Sequence, residues 1–155
     1  MEQPDWYSNA QKYWTSRPAT VNGMLGGFEK LSVIDTKSSL AFVDEFVHGV
    51  RGANNVLRKK PVISNEYACD CGAGIGRVTK EFLVRVPFQH VDLVEQAPNF
   101  VEQAKSSYLR DEIERGIVQN VLCQGLQDFS PDAGKYDLIW CQWVLGHLTD
   151  GEVTS

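Results

Sequence analysis

Tyr67–Lys80 reads YACDCGAGIGRVTK, and this stretch decides the fold. A strand-like run meets glycines at 72, 74 and 76, and Arg77 follows. Glycine has no Cβ, so the chain can turn sharply and its backbone can approach a ligand closely. A dinucleotide fingerprint, G-x-G-x-x-G, needs a glycine where this chain has Arg77, and Gly76 comes one residue early. The phosphate loop G-x-x-x-x-G-K-[ST] is absent. Asp70, beside the loop, repels phosphate and attracts a cation such as a sulfonium or an amine. By itself the glycine triplet is also compatible with a plain tight turn between strand and helix.

The pattern continues outward from the loop. Glu66–Asp70 reads as a short strand, and the helix after the loop has Val78, Phe82 and Val86 on one face. His90–Val94 is the next strand. Pro98 suits the first turn of a helix whose Phe100, Val101, Ala104 and Tyr108 share a face. Gly116 precedes a third strand, Ile117–Cys123, and Tyr136–Cys141 is a fourth. Strands alternating with helices imply an α/β fold with a mostly parallel sheet. Ligands of such sheets bind beyond the carboxyl ends of the strands.

Upstream, Asp5–Trp14 is expected as a helix, with Trp6, Ala10, Tyr13 and Trp14 on an aromatic face. The Gly- and Pro-rich SRPATVNGMLGGFEK, residues 16–30, reads as a loop. Asp35 is expected to cap a second helix that carries Leu40, Val43, Phe46 and Val47 on one side and stops at Gly49. Arg51–Ser64 reads as a polar connection. Residues 1–60 are thus expected as an N-terminal helical extension with a loop, and residues 61–155 as a Rossmann-like core, the two making one domain overall.

The strand ends hold the chemistry. Glu95 ends the second strand, 23 residues after Gly72, where an acid can accept hydrogen bonds from both ribose hydroxyls. Alone, it would read as a solvated strand cap. Leu126 and Gln127 follow the third strand and offer adenine an apolar surface and edge hydrogen bonds, although a polar turn has the same composition. Gln142, Trp143 and His147 follow the fourth and suit a substrate wall. Core packing is the plainer account of Trp143, and a surface position that of His147. G-x-G-x-G with a downstream acid matches S-adenosylmethionine, which has no phosphates, carries a sulfonium and has a ribose to clamp. A class I methyltransferase fold is therefore favoured over a nicotinamide dehydrogenase.

Composition narrows the partners. The 155 residues suffice for one core, and a net charge of −5 disfavours a bulk electrostatic grip on nucleic acid or an anionic membrane. The four cysteines show no metal-ligand spacing, so no metal is expected. The N-terminal MEQPDWYSNA lacks the pattern of a secretory signal, and no apolar run reaches membrane-spanning length. Reduced thiols in a cytoplasmic and nuclear protein are the expectation.

Four stretches are more specific: YWTSRPATVNGMLGG, DCGAGIGRVTK, GLQDFSP and YDLIWCQWVLGHLTD. On them the chain resembles the protein α-N-terminal methyltransferases, which methylate the α-amine of X-Pro-Lys/Arg N-termini using S-adenosylmethionine. The resemblance runs from about Tyr13 to Asp150. It implies that Gly72 and Arg77 bind the cofactor, Arg77 by pairing with its carboxylate. Glu95, Gln96 and Ala97 would line the ribose. Leu126, Gln127 and Gln142 would contact adenine or the far end of the cofactor. Trp14, Leu25, Trp143 and His147 would shape a channel for a peptide N-terminus. His147 is expected as the catalytic base on its own chemistry, as the group on the substrate side of this chain that titrates near neutral pH, a role that carboxylates beyond residue 155 share in the family. The family more usually has Asp where this chain has Glu95. Its sheet has seven strands, and 14 residues follow Cys141 here, so the last strands and the C-terminal third are expected to be missing. An inactive cofactor-binding or interaction module of the same lineage is the alternative reading.

Overall fold

The computed structural model describes residues 5–153. Helix α1 spans Trp6–Thr15, as the aromatic periodicity predicts. The expected loop after it contains a short helix, α2 (Val21–Met24), started by Thr20, whose side chain accepts the Gly23 N–H at 3.0 Å. Helix α3 spans Leu31–His48 and stops at Gly49, whose φ is +74°. Asp35 therefore does not cap this helix but lies inside it, one turn from the start.

The polar connection after α3 forms a small antiparallel hairpin of β1 (Val50–Arg51) and β2 (Leu57–Lys59). The main sheet begins with β3 (Tyr67–Cys71), and the glycine loop follows it. The helix after the loop is wound wide over Thr79–Leu83, where the Val84 N–H reaches the Thr79 carbonyl at 3.0 Å. Next come β4 (His90–Glu95) and α4 (Pro98–Gln103), the latter continued by a second wide turn, Ala104–Tyr108. Helix α5 (Arg110–Glu114), β5 (Val118–Cys123), β6 (Leu138–Cys141) and α6 (Asp150–Val153) complete the order.

The main sheet is all parallel, in the order β5-β4-β3-β6. Strand β4 is buried at every position after His90, as expected for a strand covered on both faces. Val78, Phe82 and Val86 do share a buried face. Val43 and Val47 of α3 join them in one core with Leu93 and Leu109. The N-terminal extension thus shares the core of the sheet. Each fully buried side chain of this kind contributes roughly 1.5–3 kcal/mol. Phe46, expected on the buried side of α3, is instead exposed and rests against Phe42 with ring centroids 5.1 Å apart.

The long segment between β5 and β6 is anchored by a carboxylate. Asp92, fully buried in mid-β4, accepts hydrogen bonds from Lys135 Nζ at 2.7 Å, Tyr136 OH at 2.8 Å and Asn120 Nδ2 at 2.8 Å. Burial acts to raise its pKa, but the bonds from Lys135, Asn120 and Tyr136 prevail and hold it below the usual carboxylate range. No helix among the described residues is long and apolar enough to cross a membrane.

Candidate active site at the carboxyl ends of the strands

A cavity of about 270 Å³ opens where β3, β4, β5 and β6 end. Gly72, Gly74 and Arg77 line it after β3, and Glu95 and Gln96 at the end of β4. Leu126 and Gln127 follow β5, while Gln142, Trp143 and His147 follow β6. The extension closes it with Tyr7 and Trp14 of α1, Met24 of α2, and Leu25.

The floor is the glycine loop. Gly72 has φ +69°, a region that L side chains rarely adopt, and a Cβ there would overlap Val144 Cγ2. Its N–H donates to the Val94 carbonyl at 2.9 Å. The Gly74 N–H donates to Glu95 Oε2 at 2.8 Å, and Glu95 Oε1 accepts the Ala97 N–H at 2.8 Å. Glu95 therefore staples the loop to the end of β4 while facing the cavity. Its pKa is raised by burial, against the pull of the backbone N–H groups of Ala97, Gly74 and Gln96.

Two further groups bear on the loop. Asp70, at 2% exposure, accepts the backbone N–H of Thr79 at 3.1 Å and its hydroxyl at 2.8 Å. Burial raises its carboxyl to about 6, although the bonds from Thr79 and the charge of Arg77 oppose the rise. Met24 lays its thioether over Gly74 and receives the Ile75 N–H on sulfur at 3.1 Å.

The opposite wall is aromatic. Trp14 stands edge-on to His147 with centroids 5.6 Å apart and is tilted against Phe100 at 6.4 Å. Trp6 Nε1 donates to the His147 carbonyl at 2.7 Å, so α1 fixes the segment after β6. Trp143 holds φ +62° and is 67% exposed at the cavity mouth. A left-handed backbone at so bulky a residue costs about 1–2 kcal/mol, which marks the position as one held by its surroundings.

Residues 2–155 match the family of AdoMet-dependent proline di-methyltransferases. The chain belongs to this family. It is 47% identical over 149 residues to the N-terminal Xaa-Pro-Lys N-methyltransferase 1 of Xenopus tropicalis, covering 96% of this chain and 61% of that protein. It is 46% identical over 145 residues to the alpha N-terminal protein methyltransferase 1 of Dictyostelium discoideum, covering 94% and 50%. A solved SAM-dependent methyltransferase from Leishmania major superposes with a TM-score of 0.77 at 31% identity, covering 97% of this chain and 54% of that one. The magnesium protoporphyrin IX methyltransferase of Synechocystis shares the fold at 18% identity and a TM-score of 0.64. The chain spans about half to three fifths of the length of these curated relatives.

The proline di-methyltransferase family is AdoMet-dependent, and the cavity suits that cofactor. Its loop is lined by the carboxylates Asp70 and Glu95, which repel phosphates and favour a cation and a ribose. The cavity brings together Gly72, Arg77, Glu95, Gln96, Leu126, Gln127 and Gln142 with Trp14, Leu25, Trp143 and His147. Ala97 is the exception. It is fully buried behind the cavity and acts through its backbone N–H on Glu95.

Arg77 is not a free cation awaiting a ligand, because its Nη1 lies 3.0 Å from Asp35 Oδ2 and 3.3 Å from Ser32 Oγ. Tyr7, Met24 and Phe100 are not legible as cavity residues, since Tyr7 and Phe100 sit in ordinary helical patterns and Met24 in a stretch that reads as a loop. The VNGM stretch that carries Met24 was the available signal for a short helix lying over the loop.

Proposed function

We propose that this protein methylates the α-amino group of protein N-termini bearing an X-Pro-Lys/Arg motif, with S-adenosylmethionine as donor. One observation carries the reading: a single cavity joins the glycine loop and Glu95 to a wall built from Trp14, Trp143 and His147. The family match and the relatives named for Xaa-Pro-Lys N-methylation support it.

S-adenosylmethionine, when bound, supplies a methyl carbon on a positively charged sulfur, and its transfer to an amine leaves a neutral thioether. Glu95 presents carboxylate lone pairs to the ribose hydroxyls, and Gln96 borders them. Arg77 pairs with the carboxylate of the amino-acid end. Leu126 and Gln127 take the adenine. Trp14 and Trp143 give a proline ring flat apolar faces, and Leu25 narrows the entrance. These contacts hold the amine against the methyl carbon and away from water. An α-amine has a reference pKa of about 7.7–8.0, so a base of modest strength suffices to keep it neutral. His147 is the group assigned to accept its proton.

The test is incubation with an Ala-Pro-Lys-Arg peptide and S-adenosylmethionine, followed by mass spectrometry for added methyl groups. A peptide whose proline is replaced by alanine should gain none. Cofactor binding by calorimetry without any peptide methylation would instead support a cofactor-binding module of the same lineage.

A further inference from the structure

The extension helix α3 sends one carboxylate into the polar structure behind the cavity. Asp35 Oδ2 lies 3.0 Å from Arg77 Nη1, and the pair is nearly buried, with side-chain exposures of 18% and 7%. Oδ2 receives no aligned hydrogen bond, so charge rather than directional bonding holds this contact. Asp35 Oδ1 accepts Nε2 of Gln142, which is 107 residues distant in the chain. Gln142 Oε1 in turn accepts Trp140 Nε1 at 2.7 Å. Helix α3, the glycine loop and the exit of β6 are thus locked together at Asp35.

We propose that Asp35 is a positioning residue that holds Arg77 and Gln142 in their cofactor-binding geometry. The inference rests on the reading that Arg77 meets the carboxylate of the cofactor. Both polar contacts of the guanidinium fall on Nη1. Its remaining N–H donors keep the fork that a carboxylate takes bidentately. A guanidinium this buried needs a counter-charge, and without one it reorients toward water or adjusts its surroundings. Asp35 supplies that charge from an element outside the Rossmann-like core. Through Arg77, placement of the extension is thereby coupled to the amino-acid end of the cofactor.

The coupling predicts a ligand-dependent effect. Calorimetry compares S-adenosylhomocysteine, which has the carboxylate, with 5′-methylthioadenosine, which keeps the adenosyl thioether and lacks it. Asp35→Asn should weaken S-adenosylhomocysteine about tenfold, the order of one charge-assisted contact, and change 5′-methylthioadenosine less than about twofold. Asp35→Glu should restore part of the loss. Unchanged S-adenosylhomocysteine affinity in Asp35→Asn would overturn the proposal.

If Asp35→Asn also loses 5′-methylthioadenosine, the comparison moves to Arg77→Gln with and without Asp35→Asn, the double variant carrying neither charge of the buried pair. Equal S-adenosylhomocysteine affinities in these two proteins support the coupling, and a further loss in the double variant overturns it. Failure of the underlying reading has a separate signature: Arg77→Gln alone would bind S-adenosylhomocysteine as tightly as the unaltered protein.

Discussion

Asp70 gives the most quantitative handle on stability. Its carboxyl is fully buried beside the loop, and its pKa is raised from 3.8 to about 6 chiefly by desolvation. A raised acid binds its proton more tightly in the folded state than in the unfolded one. The stability contributed by that proton is complete below pH 3.8 and is lost as pH rises through about 6. At 1.36 kcal/mol per pKa unit, the loss amounts to roughly 3 kcal/mol, and about 2 kcal/mol of it falls between pH 4 and pH 7.

Asp70→Asn removes the titration while leaving an amide oxygen to accept the N–H and hydroxyl of Thr79. The measurement is urea denaturation of both proteins at several pH values. Other acids, including Glu95 and Asp92, titrate in both proteins and drop out of the difference. The variant should gain about 2 kcal/mol on the unaltered protein between pH 4 and pH 7, whatever their offset at the lower pH. A difference independent of pH would show that the bonds from Thr79 and the charge of Arg77 cancel the effect of burial, and would refute the raised pKa. A difference of opposite slope would show that Thr79 and Arg77 outweigh burial.

Three further outcomes follow from the site. Glu95→Gln replaces an acceptor of two backbone N–H bonds with a group that can accept only one of them, and should cost about 1–3 kcal/mol in thermal or urea denaturation while weakening 5′-methylthioadenosine. Gly72→Ala combines a left-handed backbone with overlap against Val144, and should destabilise by about 2 kcal/mol or more; a neutral result would mean that the loop and the β6 exit are not packed together. Trp143→Gly should be more stable than Trp143→Ala by about 1 kcal/mol, because only glycine takes φ +62° without strain, yet both should lose turnover of the Ala-Pro-Lys-Arg peptide.

The sequence was most legible where a local rule acts over a few residues. Strand β4, the helix start at Pro98 and the buried triplet Val78, Phe82 and Val86 all follow from periodicity and capping. It was least legible where elements are short or held from afar. Strands of two and three residues carry no periodicity, so the stretch holding β1 and β2 reads in the sequence as a polar connection. Asp35 resembles a helix cap because Asp before an apolar run usually is one. Its actual partners, Arg77 and Gln142, lie on other elements, and no local pattern points to them.

The sequence by itself determined the α/β order, the phosphate-free character of the glycine loop, the acid at position 95 and the family. Each of these depends on residue types at fixed short spacings. Tertiary structure alone decided that Met24 covers Gly74, that Glu95 staples the loop it faces, and that Trp143 is held at positive φ. It also decided that Arg77 is paired from α3. These are contacts between groups far apart in the chain. Packing of the core brings them together, and buried charges and N–H groups must then find partners within reach.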